Sequence, residues 1–91
     1  MQNLSVIVPF FNEENFLEIS VQRLLDNDIY NEIILVDDCS TDSSSSIAKK
    51  LELENEKVTY LKTQDNGGKG YAVASAINLL SSTHTVIHDA D

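Results

Sequence analysis

The sequence predicts an α/β fold: a Rossmann-like parallel sheet in β-α-β-α-β-α-β order with helices on both faces. Two observations carry this. Ile33-Ile34-Leu35-Val36 is an unbroken, mostly β-branched run, the mark of a strand covered on both sides in a parallel sheet. Along the rest of the chain, short strand-like runs alternate with segments of helical apolar spacing, which implies right-handed crossovers between parallel strands.

Taken in order, Leu4-Ser5-Val6-Ile7-Val8 is the first strand, and Pro9, which cannot donate to a ladder, marks its exit. Asn12 is placed to cap the helix that follows. Glu13 and Glu14 suit its first turn, and Phe16, Leu17, Val21, Leu24 and Leu25 form its apolar stripe. Asn27, Asp28 and Asn31 are turn formers before the second strand at Ile33. Residues 40–46 are rich in capping side chains, and Ile47, Ala48 and Leu51 give the second helix its stripe. Val58-Thr59-Tyr60-Leu61 is a third strand, and Asp65-Asn66-Gly67-Gly68 a loop. Ala72, Val73, Ala76, Ile77 and Leu80 mark a third helix, and Thr85-Val86-Ile87-His88 a fourth strand that runs into Asp89-Ala90-Asp91.

Composition narrows the partners. The 91 residues make one domain, and 6 Lys and Arg against 15 Asp and Glu leave a formal charge of −9. Nucleic-acid backbones and anionic membranes are repelled by such a chain, and no local basic patch offsets this. One cysteine, Cys39, cannot form an internal disulfide, which suits a reducing compartment. No apolar run reaches the roughly 18 residues that span a bilayer. No basic segment precedes the early apolar run, so no signal peptide is recognised. A cytoplasmic chain is expected, with the full-length protein at the cytoplasmic face of the membrane.

In such a sheet ligands bind at the carboxyl ends of the strands. Four segments should meet there: residues 9–14, 37–42, 65–69 and 89–91. Their many carboxylates would repel one another unless a cation is bound. Asp89 and Asp91, spaced i, i+2, point to one side of an extended chain and offer hard oxygen ligands for Mg²⁺ or Mn²⁺; solvated acids at a strand end are the plainer explanation. Asp37 and Asp38 could accept the imide N–H of uracil or N1–H of guanine, or one could cap the next helix while the other is solvated. Asp42 is assigned to capping. Glu13 suits a base, a ribose or the helix dipole equally.

Lys69, in Asn66-Gly67-Gly68-Lys69-Gly70, could touch a phosphate or a base, or stand in solvent. Its spacing is not that of a P-loop, and no dinucleotide-binding glycine pattern follows the first strand. Phe10 and Phe11 are core residues, or one of them stacks on a base. Tyr71 is core. Strand alternation turns His88 away from Asp89, towards packing, and His84 and Cys39 are structural or exposed.

Together, Val8-Pro9-Phe10-Phe11-Asn12-Glu13, Val36-Asp37-Asp38-Cys39-Ser40-Thr41-Asp42, Asn66-Gly67-Gly68-Lys69-Gly70 and Asp89-Ala90-Asp91 resemble the amino-terminal, nucleotide-binding half of glycosyltransferase family 2, the GT-A fold. The Gly-Lys-Gly and Asp-Ala-Asp forms look most like the polyprenyl- and dolichol-phosphate sugar transferases. The resemblance implies that Pro9, Phe11 and Glu13 line the nucleotide. Asp38, with Asp37 beside it, would hold the base, and Lys69 would lie near base or diphosphate. Asp89 would contact ribose or metal, and Asp91 would bind the metal.

The implied reaction transfers a sugar, with inversion, from a UDP- or GDP-linked donor to an acceptor hydroxyl, glycan or lipid phosphate. Phe11 stands where the family usually has Tyr. Cys39 stands where it commonly has Gly, which implies a backbone without positive φ at that position. Residues 1–91 look like a donor half truncated after the Asp-x-Asp motif. Such a chain should lack the acceptor site and general base, bind donor without turnover, and pair with a second copy through an uncovered sheet edge. A non-catalytic nucleotide- or metal-binding module is the alternative from another class. A nucleotidyltransferase would need a glycine-rich first loop, and a phosphohydrolase would use Asp89 as nucleophile.

Overall fold

A computed structural model describes residues 4–63 and 84–87. The elements are β1 (Leu4–Phe10), α1 (Leu17–Leu25), β2 (Glu32–Asp37), α2 (Ser44–Glu54), β3 (Val58–Lys62) and β4 (His84–Ile87). The strands form one sheet in the order β3-β2-β1-β4, and every pairing is parallel. The expected Rossmann-like α/β architecture is present. The third helix lies outside the described residues.

The strand order sets the ligand edge. The chain steps outward from β1 to β2 to β3, and then β4 lies on the other flank of β1. Between β1 and β4 the direction of winding reverses, and the crevice at the carboxyl ends of such a pair is where open α/β sheets take ligands.

Strand alternation divides the core into two faces. Val6, Val8, Phe10, Ile33, Leu35 and Val58 join Leu17, Val21 and Leu24 of α1 and Ala48 and Leu51 of α2. Ile7, Ile34 and Val36 pack on the opposite face with Leu61. Ile33, Ile34, Leu35 and Val36 are all 0% exposed, as an uninterrupted apolar run requires. Each such side chain contributes roughly 1.5–3 kcal/mol through removal from water.

Three local expectations are corrected. β1 does not stop at Pro9 but continues to Phe10, in register with Asp37. The Phe10 carbonyl accepts the Asp38 N–H (3.0 Å), so Phe10 bonds toward β2 and the donorless nitrogen of Pro9 turns to the β4 side. Turned to that side, proline removes no hydrogen bond from the β1–β2 ladder.

Asn12 does not cap α1. Phe16 occupies the cap position without a side-chain bond, and the turn is closed by the N–H groups of Phe16 and Leu17 on the Glu13 carbonyl (3.1 and 2.9 Å). Phe16 therefore lies outside the buried stripe and is 56% exposed.

Cys39, expected without positive φ, has φ 62. The chain must turn sharply after β2 to bring the Ser40 N–H back onto Asp37. A left-handed residue makes that turn, and the Cys39 thiol donates to the Thr63 carbonyl (3.3 Å). Among the described residues no helix is long and apolar enough to cross a membrane.

Candidate functional site

The two aspartates that end β2 have separate surroundings. Asp37 continues the alternation of Ile33 and Leu35, toward α1 and α2. Asp38 continues that of Ile34 and Val36, toward the other face. Neither is solvated, Asp37 being 0% and Asp38 5% exposed. The expectation that one of them caps while its neighbour faces water is therefore not met.

Asp37 is held by the chain itself. Its Oδ1 accepts the Ser40 N–H (2.7 Å) and its Oδ2 accepts the Tyr60 hydroxyl (2.7 Å). Its carbonyl accepts the Thr63 N–H (2.9 Å). Burial, followed by the bond to Asp37 and its negative charge, pushes the Tyr60 phenol far above its ordinary range. Lys49 lies 5.9 Å over the Tyr60 ring. These contacts satisfy a buried carboxylate that would otherwise be costly, and they fix the path of the chain into residues 38–42.

Asp38 has a different neighbour. Thr63 follows Leu61 by two residues and so reaches the same face; its hydroxyl lies 3.2 Å from Asp38 Oδ1 and 3.3 Å from the Asp37 carbonyl. Asp38 thus sits at the carboxyl lip of β2, oriented from β3. Phe11, 43% exposed, lies at the lip of β1, while Phe10 is core. Pro9 is buried and Glu13 half-buried at the same end of β1.

The loops after β1 and β2 exchange hydrogen bonds reciprocally. The N–H groups of Asn12, Glu13 and Glu14 donate to Ser40 Oγ (2.9 Å), Ser44 Oγ (2.7 Å) and Asp42 Oδ2 (3.3 Å). In return, the N–H groups of Thr41 and Asp42 donate to Asn12 Oδ1 (2.8 and 3.3 Å), and that of Ser43 to Glu14 Oε2 (3.3 Å). Asn12 has φ 53, a left-handed conformation that Asn tolerates better than most residues.

Ser43, not Asp42, occupies the cap position of α2 and makes no side-chain cap bond; Asp42, one residue earlier, receives the Ser44 N–H (2.9 Å), the first N–H of the helix. Burial pulls the Asp42 carboxyl upward. Bonds from the hydroxyl and N–H of Ser44 and the N–H of Glu14 outweigh it, leaving the group below its ordinary value.

Asp37 and Asp42 are settled by donors from Tyr60, Ser40, Ser44 and Glu14. Among the described residues no group of three or more His, Cys, Asp or Glu is arranged to hold a metal ion. Lys69, His88, Asp89 and Asp91 lie outside the described residues. The sequence reading missed Tyr60 and Thr63 as parts of this site. A signal existed for Thr63, which follows the third strand at the level where Asp38 follows the second.

Residues 5–91 match the model of the glycosyl transferase family 2. The chain belongs to this family. Among curated relatives, glycosyltransferase GlyG of Streptococcus pneumoniae is 34% identical over 89 residues, which is 97% of this chain and 30% of GlyG. Among solved structures, the mannosyltransferase PcManGT of Pyrobaculum calidifontis, in complex with GDP-Man and Mn²⁺, superposes with TM-score 0.87 at 26% identity. That match covers 97% of this chain and 27% of PcManGT. TarS 1-349 of S. aureus in complex with UDP-GlcNAc superposes with TM-score 0.87 at 28% identity, covering 98% of this chain and 26% of that one.

This chain thus spans less than a third of the length of these relatives. The fold it shares with them is of the GT-A type. Nothing in these likenesses supports a homodimer.

Proposed function

We propose that this chain binds the nucleoside-diphosphate part of a sugar donor at the carboxyl lip of β1, β2 and β4, for transfer of the sugar to an acceptor hydroxyl with inversion. The observation that carries this reading is the fate of the loop amides. The backbone N–H groups of residues 12–14 and 41–44 are all consumed by side chains of the chain itself. In many nucleotide-binding α/β folds, such amides at a helix start cradle the phosphates. Here they are committed, α2 begins against Asp42 instead of an anion, and the diphosphate needs another source of positive charge.

Asp89 and Asp91 fit that need. They follow β4, the strand across the switch point from β1, and two carboxylates spaced i, i+2 suit a hard dication such as Mg²⁺ or Mn²⁺. Such an ion supplies charge that stabilises a departing nucleoside diphosphate. That PcManGT was solved with GDP-Man and Mn²⁺ supports the assignment. Asp38 would accept the imide or N1–H of the base, Phe11 would offer it an aromatic face, and Pro9 and Glu13 would line the pocket beside it. Asp37, with both oxygens engaged, keeps Asp38 in place. Lys69 would lie near the base or diphosphate.

TarS is named as a poly(ribitol-phosphate) β-N-acetylglucosaminyltransferase, and we take a polymer hydroxyl as the acceptor class. No described residue is assigned as the base that deprotonates it.

The test is calorimetric titration of the chain with UDP-GlcNAc and GDP-mannose, each with and without Mn²⁺ or Mg²⁺. One donor should bind with a clear metal requirement. Asp91→Asn should remove that requirement, and Asp38→Asn should weaken binding of the preferred donor about tenfold or more. Binding indifferent to metal and to both substitutions would overturn the proposal. Metal-dependent donor binding without release of nucleoside diphosphate when poly(ribitol phosphate) is added would favour a non-catalytic module.

A further inference from the structure

We propose that Thr63 is a positioning residue for Asp38, and that its hydroxyl sets how strictly the site discriminates between nucleobases. The inference rests on the reading of Asp38 as the base-binding carboxylate. A carboxylate selects a base edge only if its lone pairs point in a fixed direction, since a freely rotating group accepts from many geometries with similar energy. Something must therefore hold the rotamer before the base arrives.

Thr63 is placed to do so. It directly follows β3, on the face of Ile34, Val36 and Leu61 that Asp38 shares, and is 6% exposed. Its hydroxyl lies 3.2 Å from Asp38 Oδ1 and 3.3 Å from the Asp37 carbonyl, so one proton is shared between the two.

The hydroxyl is not needed to close this part of the sheet. Thr63 is already tied down by its backbone, with its N–H on the Asp37 carbonyl (2.9 Å) and its carbonyl accepting the Cys39 thiol (3.3 Å). Its branched Cβ also limits the rotamers open to it. What the hydroxyl adds is a directed donor to the Asp38 carboxylate. A hydrogen bond to an ionised group is worth enough to make the favoured orientation about tenfold or more preferred over its competitors.

The test compares UDP and GDP affinities, measured by calorimetry in Mn²⁺, for the unmodified chain, Thr63→Val, Thr63→Ser and Asp38→Asn. Thr63→Val keeps shape and removes the donor. It should weaken the preferred nucleotide about tenfold and shrink the UDP-to-GDP ratio, with the metal requirement unchanged. Thr63→Ser restores the donor and should return affinity and ratio to within about threefold of the original. If Thr63→Val does not fold, Thr63→Ala carries the same expectation.

A Thr63→Val protein with an unaltered ratio, while Asp38→Asn loses it, would overturn this inference and leave the reading of Asp38 standing. Equal losses in Thr63→Val and Thr63→Ser would overturn it too, since the hydroxyl would then not be the cause. If Asp38→Asn leaves both affinities unchanged, Asp38 does not bind the base, and both readings fall.

Discussion

Removing the Tyr60 hydroxyl should destabilise the fold by about 2 kcal/mol, because that hydroxyl helps to satisfy a carboxylate that water does not reach. Asp37 is 0% exposed, and Tyr60 donates to its Oδ2 at 2.7 Å. Losing a hydrogen bond to an ionised group costs about 1.5–3 kcal/mol when the partner stays buried. For a domain of this size that lowers the melting temperature by roughly 8–16 °C. Tyr60→Phe isolates the hydroxyl, since the ring beneath Lys49 remains. The assay is urea unfolding followed by circular dichroism, run as a double-mutant cycle with Asp37→Asn. Once Asp37 is changed, the hydroxyl has lost its ionised partner, so the two costs should fall short of additivity by at least about 1 kcal/mol.

An alkaline arm gives an independent check. The folded Tyr60 phenol is raised, first by burial and then by Asp37, so it holds its proton more tightly than in the unfolded chain. Its stabilisation is complete below about pH 10 and declines as pH rises beyond that. Tyr60→Phe should lack this decline. A cost under 0.5 kcal/mol with full additivity would refute the reasoning.

Three further outcomes are expected. The folded Asp42 carboxyl is depressed, so its contribution is present above about pH 3.9 and is lost as pH falls through the folded value; Asp42→Asn should flatten that acid limb in a pH series of melting curves. Asn12→Gly keeps the left-handed backbone but loses the acceptor for the Thr41 and Asp42 N–H groups. It should cost about 1–2 kcal/mol in urea unfolding and weaken donor binding, whereas Asn12→Asp keeps an acceptor and should cost less. Cys39→Val puts a β-branched side chain at φ 62 and should cost about 2 kcal/mol or more. Cys39→Gly should stay within about 1 kcal/mol, since relief of the backbone offsets the lost thiol contact.

Much of the fold was legible because the signals were of the kind that survive without context. A run such as Ile33-Ile34-Leu35-Val36 can satisfy itself only between two covered faces, and the parallel order follows from what lies between the strands. Local caps were less legible. Asn12 sits where a helix cap is expected by position, yet its acceptor is used 29 residues away, on the Thr41 N–H. No spacing rule distinguishes a cap for the next helix from a cap for the loop of a neighbouring strand, because both call for a short polar side chain beside unpaired amides. Cys39 failed for a related reason. Glycine is the usual choice for a positive φ, so a cysteine argued against one, while the thiol's bond across to β3 depends on pairing that the local sequence does not display.

The Asp37-Asp38 pair shows how a parallel sheet turns adjacency into division of labour. Side chains of consecutive strand residues point to opposite faces, so two neighbouring carboxylates at a strand's end cannot readily serve one pocket. One must be met by the helix-covered face, and Tyr60 and Ser40 meet it. The other emerges on the opposite face beside Thr63. The inward acid can be satisfied from within only because β3 supplies a phenol at the matching register, Leu35 being paired with Tyr60. A tyrosine on the α2 side of β3 and a threonine just past its end are therefore two halves of one arrangement. The first makes a buried charge tolerable, which lets the loop after β2 hold a fixed path, and the second turns that fixed path into an oriented acceptor at the lip.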